Sequence, residues 1–305
     1  MADFALGMHP LLNVEAIDRT IRELMEHDMI GERLLGRQTV DSLAVKYYID
    51  GDDNGYGKHT YEDVPEVGEA SALRRFGITE TEKMEAVRRY GLEFVITYEM
   101  QKWGLAGTLQ RGMRRLARNV ANMINEMAYK KISQEFTVVG SPTRDQIEGK
   151  VKAGSYWDDA TAGGDNFIND LLDAKAKAKQ YGFMLDTAII SPELELALMK
   201  NKDFRDKVGK DVGTGADLVL LRGYIGSFMG INFIVDERFA QISGANDNAL
   251  LLERVTAGDL VDAEGLRTKM YNEEQHDRTV IRATRFSAVT LNEPKAVYLI
   301  KNALT

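Results

Sequence analysis

The chain has 305 residues, no cysteine, 44% hydrophobic and 28% charged residues, and a formal net charge of −8. Such numbers describe a globular protein of one large or two moderate domains, and they exclude disulfides, thiolate metal sites and cysteine nucleophiles. The acidic balance, with a pI near 5.2, argues against a nucleic-acid reader but is compatible with a container wall that must not stick to an enclosed polyanion.

The first residues, MADFALGMHP, show neither a basic leader nor an apolar core, and no run reaches the ~18 apolar residues of a membrane span. A cytoplasmic chain with no membrane association is expected. Val14, Ile17, Ile21, Leu24 and Met25 recur at helical spacing, predicting an amphipathic helix within 12–36. Val45–Asp50 (VKYYID) reads as a strand and is followed by a polar, glycine-bearing tip at 51–63. A second extended run over 83–97 carries Val87, Tyr90, Leu92, Phe94 and Ile96. Two strands so far apart predict a long hairpin-like excursion with little to bury against its own chain.

Thr97–Phe136 is the most informative stretch. Leu105, Leu109, Met113, Leu116, Val120, Met123 and Met127 step by three or four residues and form one helical stripe. Arg111, Arg114, Arg115 and Arg118 project from the opposite side. The predicted helix is roughly 50–55 Å long at ~1.5 Å per residue. Gly104, Gly107 and Gly112 each cost about 1 kcal/mol inside it, so a bend or break is expected near its start, with the regular part beginning around Leu105. Residues 137–164 read as loop. A helix follows over 165–180, with Phe167, Ile168, Leu171, Leu172 and Ala178 on one side and Gly182 as terminator. Beyond it come a buried strand at 185–191 and a helix opened by Ser191 as N-cap and Pro192 at its first position. Strands are expected at 231–239 and 249–254, and again in RTVIRATRFSAVTL and KAVYLI. Strands mixed with short helices after one long helix indicate an α+β protein with at least two subdomains.

Nothing along the chain assembles catalytic chemistry, and neither a cofactor nor a metal is expected. His9, His27, His59 and His276 lack ligand spacing. Ser227 in GSFMG stands one position early for a nucleophile elbow. VGKDVGTG reads as a surface loop, since it lacks the strand and helix of a dinucleotide site. Asp50–Gly55 matches the first half of a calcium loop, but its twelfth position is Tyr61 and its flank reads as a strand; Asp, Asn and Gly favour turns on their own account. The paired bases Arg74–Arg75 and Arg88–Arg89, with Arg111, Arg115 and Arg118, are candidate subunit-interface residues.

The order of parts carries more than any single motif. An N-terminal helical segment leads to a long extended loop, a very long helix, a Trp-Asp loop, a second helix and a compact α+β region with a strand-rich finish. That order resembles the tailed-bacteriophage major capsid proteins, whose Hong Kong ninety-seven-type fold is shared with encapsulin shells. So do the phrases VPEVGEASALRR (64–75), ITYEMQKWG (96–104), SYWDDATAGGDNFINDLLDAK (155–175), AIISPELELALMKNKDFRD (188–206), LRGYIGSFMGINFIVDERF (221–239) and RFSAVTLNEPKAVYLI (285–300).

The resemblance implies an arm over 1–44 that reaches a neighbour and an extended loop over 45–96 lying on an adjacent subunit. It implies a peripheral domain with a spine helix over 97–183, an axial domain over 184–282, and closing strands over 283–305 that return to the peripheral sheet. It further implies a non-enzymatic shell subunit that forms pentamers and hexamers of an icosahedral head around double-stranded DNA. The implied partners are copies of itself, scaffolding, portal and decoration proteins, and the packaged DNA non-specifically. The implied location is the virion capsid, assembled in the host cytoplasm. An encapsulin-type compartment shell is the alternative. Some members crosslink subunits through lysine; Lys58 lies in the right loop, but the Asn and Glu partners have no match here, so that chemistry is not carried over.

Overall fold

The computed structural model describes residues 14–50, 66–67, 80–103, 106–137, 148–150, 156–159, 163–200, 223–243, 247–301 and 303–304. A hydrophobic stripe sets the architecture. Helix α4 (Ala106–Thr137) spans 32 residues, ~48 Å at the ~1.5 Å rise of an α-helix. It buries Met113, Leu116, Val120, Ile124, Ala128 and Ile132 along one side. A short helix, α3 (Tyr98–Trp103), precedes it; Gly104 and Leu105, where a bend or break is expected, lie outside the described residues. Gly112 remains inside α4 because of its neighbour: a Cβ there would overlap the Phe94 ring. The propensity cost of that glycine is offset by close seating of the helix on strand β4 (Arg88–Thr97).

The sheet under α4 has four strands in the order β1-β10-β11-β4, with β1 at Leu35–Thr39, β10 at Val255–Glu273 and β11 at Arg278–Leu291. Strand β1 runs parallel to β10, and β10, β11 and β4 pair antiparallel. A second sheet has six strands in the order β5-β12-β9-β6-β8-β7. These are β5 (Glu148–Lys150), β6 (Thr187–Ile190), β7 (Tyr224–Phe228), β8 (Ile231–Val235), β9 (Ala249–Leu252) and β12 (Val297–Lys301). Strands β6 and β9 are buried throughout, which is why TAII and ALLL read as unbroken apolar runs. Helix α5 (Gly163–Gln180) packs on this sheet by placing Phe167 against Phe228 and Phe233. Trp157 closes the same corner, its ring edge-on to Phe167 and its Nε1–H donating to Asp170 at 2.8 Å. Helix α6 (Pro192–Lys200) opens as expected, with the Ser191 hydroxyl accepting from the Leu194 N–H. Strands β2 (Ala44–Asp50) and β3 (Glu80–Ala86) form a separate antiparallel ribbon.

Two expectations are corrected. The single helix expected over 12–36 is a helix α1 (Val14–Glu26), a turn, a four-residue helix α2 (Gly31–Leu34) and β1. The turn is fixed from α4: the Asn125 side chain donates to the Asp28 carbonyl at 2.9 Å and accepts from the Gly31 N–H at 2.8 Å. Ile17, Ile21 and Met25 are buried in the chain's own core, so this part of the arm packs at home. The extended run over 83–97 is two strands in different sheets. They part at Val87, whose side chain belongs to a small second core with Val45, Val261 and Ala288. Strand β11 runs through 282/283, and β12 lies beside β9 in the second sheet.

Of the weaker sequence signals, Ser227 is a buried residue within β7. His27 and His276 are exposed, and His9, His59 and the calcium-like positions 51–61 lie outside the described residues. Among the described residues no group of three His, Cys, Asp or Glu side chains is placed to hold a metal, and no helix is long and apolar enough to cross a membrane.

Candidate assembly surface

Opposite the buried stripe of α4, Arg111, Arg114, Arg115 and Arg118 are all exposed, as the helical phase requires. Arg118 lies 3.9 Å from Asp28 in the α1–α2 turn, and an Arg111 Nη donates to the Thr108 hydroxyl. On β4, Arg88 and Arg89 are exposed and adjacent, so they point to opposite faces of the sheet. Arg89 lies over the Phe286 ring at 5.8 Å. Arg88 shares its side with Tyr90, Leu92 and Phe94, the side α4 covers. Thus Arg88, Arg115 and Arg118 share the helix side of the structure and Arg89 does not. Arg74 and Arg75 lie outside the described residues.

The ribbon carries a second surface. Val45, Tyr47 and Ile49 turn inward and are buried. Lys131 near the end of α4 fixes that side, donating to Glu85 at 2.6 Å and lying 5.8 Å from the Tyr47 ring centre. The alternate residues face out: Tyr48 is 52% and Met84 62% exposed. Beyond β4, Met100 and Trp103 of α3 are also exposed. Large exposed apolar side chains on protruding elements mark interaction sites more often than chance placement does. The sequence carried a slight signal for this, since Tyr48 stands between Lys46 and Asp50 on the otherwise charged face of VKYYID.

A third feature had no sequence signal. Arg285 of β11 is buried, and its Nε and Nη2 donate to Asp262 of β10 at 2.9 and 2.6 Å. Its Nη1 donates to Glu32 of α2 at 2.5 Å. The Ser287 hydroxyl also donates to Asp262, and Arg37 of β1 pairs with Glu32. This network joins α2 to three strands of the first sheet. Its geometry is that of a structural clamp, with every named polar group matched by a partner.

Tyr129 of α4 makes a comparable link to the second sheet. Its hydroxyl donates at 2.8 Å to Asp236, which also accepts from the Arg238 N–H at the start of helix α7 (Glu237–Ser243). Burial pushes the Tyr129 phenol well above its ordinary range and raises the Asp236 carboxyl above its own, although the Arg238 N–H and the Tyr129 hydroxyl pull the carboxyl down. A raised folded-state value means the folded protein binds this proton more tightly than the unfolded chain. The resulting stability is complete below the unfolded value of about 3.9 and is lost as pH rises through the folded value. Asp236→Asn removes the charge, keeps one oxygen to accept from the Arg238 N–H, and turns an NH2 donor toward the Tyr129 hydroxyl, which then accepts. Its stability relative to wild type is therefore expected to increase with pH upward from about pH 4 and then level off. Urea midpoints of both proteins across this range check it; a difference that does not change with pH contradicts the burial assignment.

The comparisons with known proteins agree with this architecture. No curated protein matches the chain. Among solved structures, the capsid of the cyanophage P-SCSP1u is similar at 13% identity and a TM-score of 0.61, covering 91% of this chain and 89% of that one. A phage-related protein from Bordetella bronchiseptica RB50 is similar at 12% identity and a TM-score of 0.61, covering 95% and 96%. A virus-like particle from Pyrococcus furiosus is similar at 12% identity and a TM-score of 0.58, covering 93% and 98%. At these identities the likeness is one of fold. The sequence profile of the phage capsid protein family matches residues 80–300, from the first residue of β3 to the penultimate residue of β12, and on that match the chain belongs to the phage capsid protein family.

Proposed function

We propose that this shell subunit is the major capsid protein of a tailed phage, forming pentameric and hexameric rings that close into an icosahedral head around double-stranded DNA. It assembles in the host cytoplasm, holds its DNA non-specifically, meets scaffolding, portal and decoration proteins, and has no catalytic role. The observation that carries this reading is the family match over 80–300. The ribbon adds to it, being anchored at home by one face and presenting Tyr48 and Met84 outward on the other. Obligate interfaces bury ~2,000–5,000 Å² in all, and burial at ~25 cal/mol per Å² offsets the ordering of such protruding elements. In this reading the first sheet with α4 is the peripheral unit and the second sheet with α5 to α7 is the axial unit. The arginines of α4 and β4 face neighbouring copies.

An encapsulin-type compartment is the second reading, favoured by the likeness to the Pyrococcus furiosus virus-like particle over nearly the whole of both chains. Nuclease-protected DNA inside assembled shells supports the phage reading; protein cargo in its place supports the second.

The arginine surface has its own test. Arg115→Glu removes no described ion pair, and an exposed substitution of this kind shifts stability by under ~0.5 kcal/mol. The variant is expected to keep the wild-type circular dichroism while its assembly, followed by sedimentation velocity, weakens at least several-fold. Unchanged assembly removes Arg115 from the interface.

A further inference from the structure

Helix α4 touches β4 near Phe94, where Gly112 brings its backbone against the ring. Toward the start of β4 helix and sheet separate, leaving an open, apolar wedge of about 270 Å³. Leu92, Val120, Met123, Leu266 and Ala283 form its walls. Small-molecule pockets run ~300–1,000 Å³ and are mostly apolar with a few placed polar groups, so the wedge stands at the small end of that range. The charged side chain in its wall, Arg285, is committed to Glu32 and Asp262. The interior therefore suits a slender apolar body, to whose shape the flexible Met123 can adapt.

The mouth has the opposite character. Leu92 is 41% exposed there, and Asn119 is exposed beside it. Arg115 stands one helical turn before Asn119 on the same face of α4. Arg88 stands two residues before Tyr90, another lining residue, on the same side of β4. Both arginines are exposed, and among the described residues neither is held by a carboxylate. An apolar interior with unpaired cations at its rim matches an amphiphile whose single charge is negative. Its tail leaves water, and its anionic end accepts from the guanidinium fork and from the Asn119 amide.

We propose that the wedge between β4 and α4 binds a single-chain carboxylate of medium length, a free fatty acid, with its tail along Leu92, Val120 and Met123 and its carboxylate at the mouth beside Asn119, Arg88 and Arg115. A cationic head is repelled at such a rim, and a neutral one gains only an ordinary hydrogen bond in place of a charge-assisted one. The occupied site ties α4 to the first sheet at the place where the two separate, so a bound tail stabilises the folded chain by mass action. All the groups that form the site belong to one chain, and the inference stands apart from the shell reading.

Decanoate, kept below its micelle threshold, is titrated calorimetrically into the purified full chain. One saturable site per chain is expected, with a melting temperature that rises as ligand is added. Octanoate, with two fewer methylenes to bury, is expected to bind roughly tenfold more weakly. Decanol is expected to bind several-fold more weakly than decanoate, and decyltrimethylammonium not at all. Leu92→Asp sets a carboxylate at the exposed mouth and is expected to weaken decanoate binding at least tenfold. Arg88→Glu is expected to weaken it several-fold, and it carries the test alone if Leu92→Asp loses the wild-type circular dichroism. The lack of a saturable site, or decanoate binding that these substitutions leave intact, overturns the inference. Decanol bound as tightly as decanoate overturns the assignment of the rim, and phosphatidylglycerol vesicles captured in preference to the free acid overturn the assignment of the occupant. Shell formation is read separately by sedimentation, so each of these outcomes leaves the shell reading standing.

Discussion

Arg285→Ala is expected to cost roughly 3–5 kcal/mol, the range for removing one partner of a buried ion pair. The side chains of Arg285 and Glu32 are each 5% exposed. Removing the guanidinium leaves Glu32 with the more exposed Arg37 and leaves Asp262 with the Ser287 hydroxyl of β11. Asp262 then loses its guanidinium, and Glu32 keeps only a cation that is itself largely exposed. The loss falls where α2, β1, β10 and β11 meet, so the helical hairpin over the first sheet loosens with it. Urea denaturation of the full chain measures the effect. A loss below about 1 kcal/mol, the value of an ordinary hydrogen bond, would mean that water reaches the network and the burial described for it is wrong. Replacing all members by apolar residues of similar volume is a different experiment, and buried pairs elsewhere have proved neutral or unfavourable against such replacements.

Met113→Asp is expected to prevent stable folding. Met113 is 3% exposed and sits on the stripe where α4 meets the core. A carboxylate there has no partner among its apolar neighbours, and an unpaired buried charge costs several kcal/mol, a large part of a domain's total stability of ~5–15 kcal/mol. Circular dichroism and a lost cooperative transition report it. A Met113→Asp protein that folds and assembles normally would show that this face of α4 does not pack inward. The contrast with Arg115→Glu, two residues further along the same helix, assigns inside and outside independently.

Alpha-helical phase made much of this legible in the sequence. A stripe at three- and four-residue steps can satisfy only one face, so the inward residues of α4 and the outward arginines followed from counting. Strands β6, β9 and β12 were readable because strands buried on both faces are apolar without interruption. Strand β10 was not readable: VTAGDLVDAEGLRTKMYNE is rich in charge and becomes a strand through its ladder with β11 and β1. Strand β1 has one buried residue, Leu35, and owes its conformation to β10. Nothing local in RTVIRATRFSAVTL marks Arg285 as buried. Only the arrival of Glu32 from 253 residues away makes it an inward one, and pairings at that separation leave no local trace. The candidate arginines were likewise found as exposed charges, but their division between the two sides of the sheet needed the pairing of β4 with β11.

The central claim, that this chain is built to form a shell, is tested most directly by electron microscopy of the purified protein combined with sedimentation velocity across salt conditions, with and without scaffolding protein. Rings or closed shells are expected in the images, with fast-sedimenting species that dissociate into capsomers. A single species at the 34.2 kDa of one chain under every condition, with no assembled particles in the images, would contradict it.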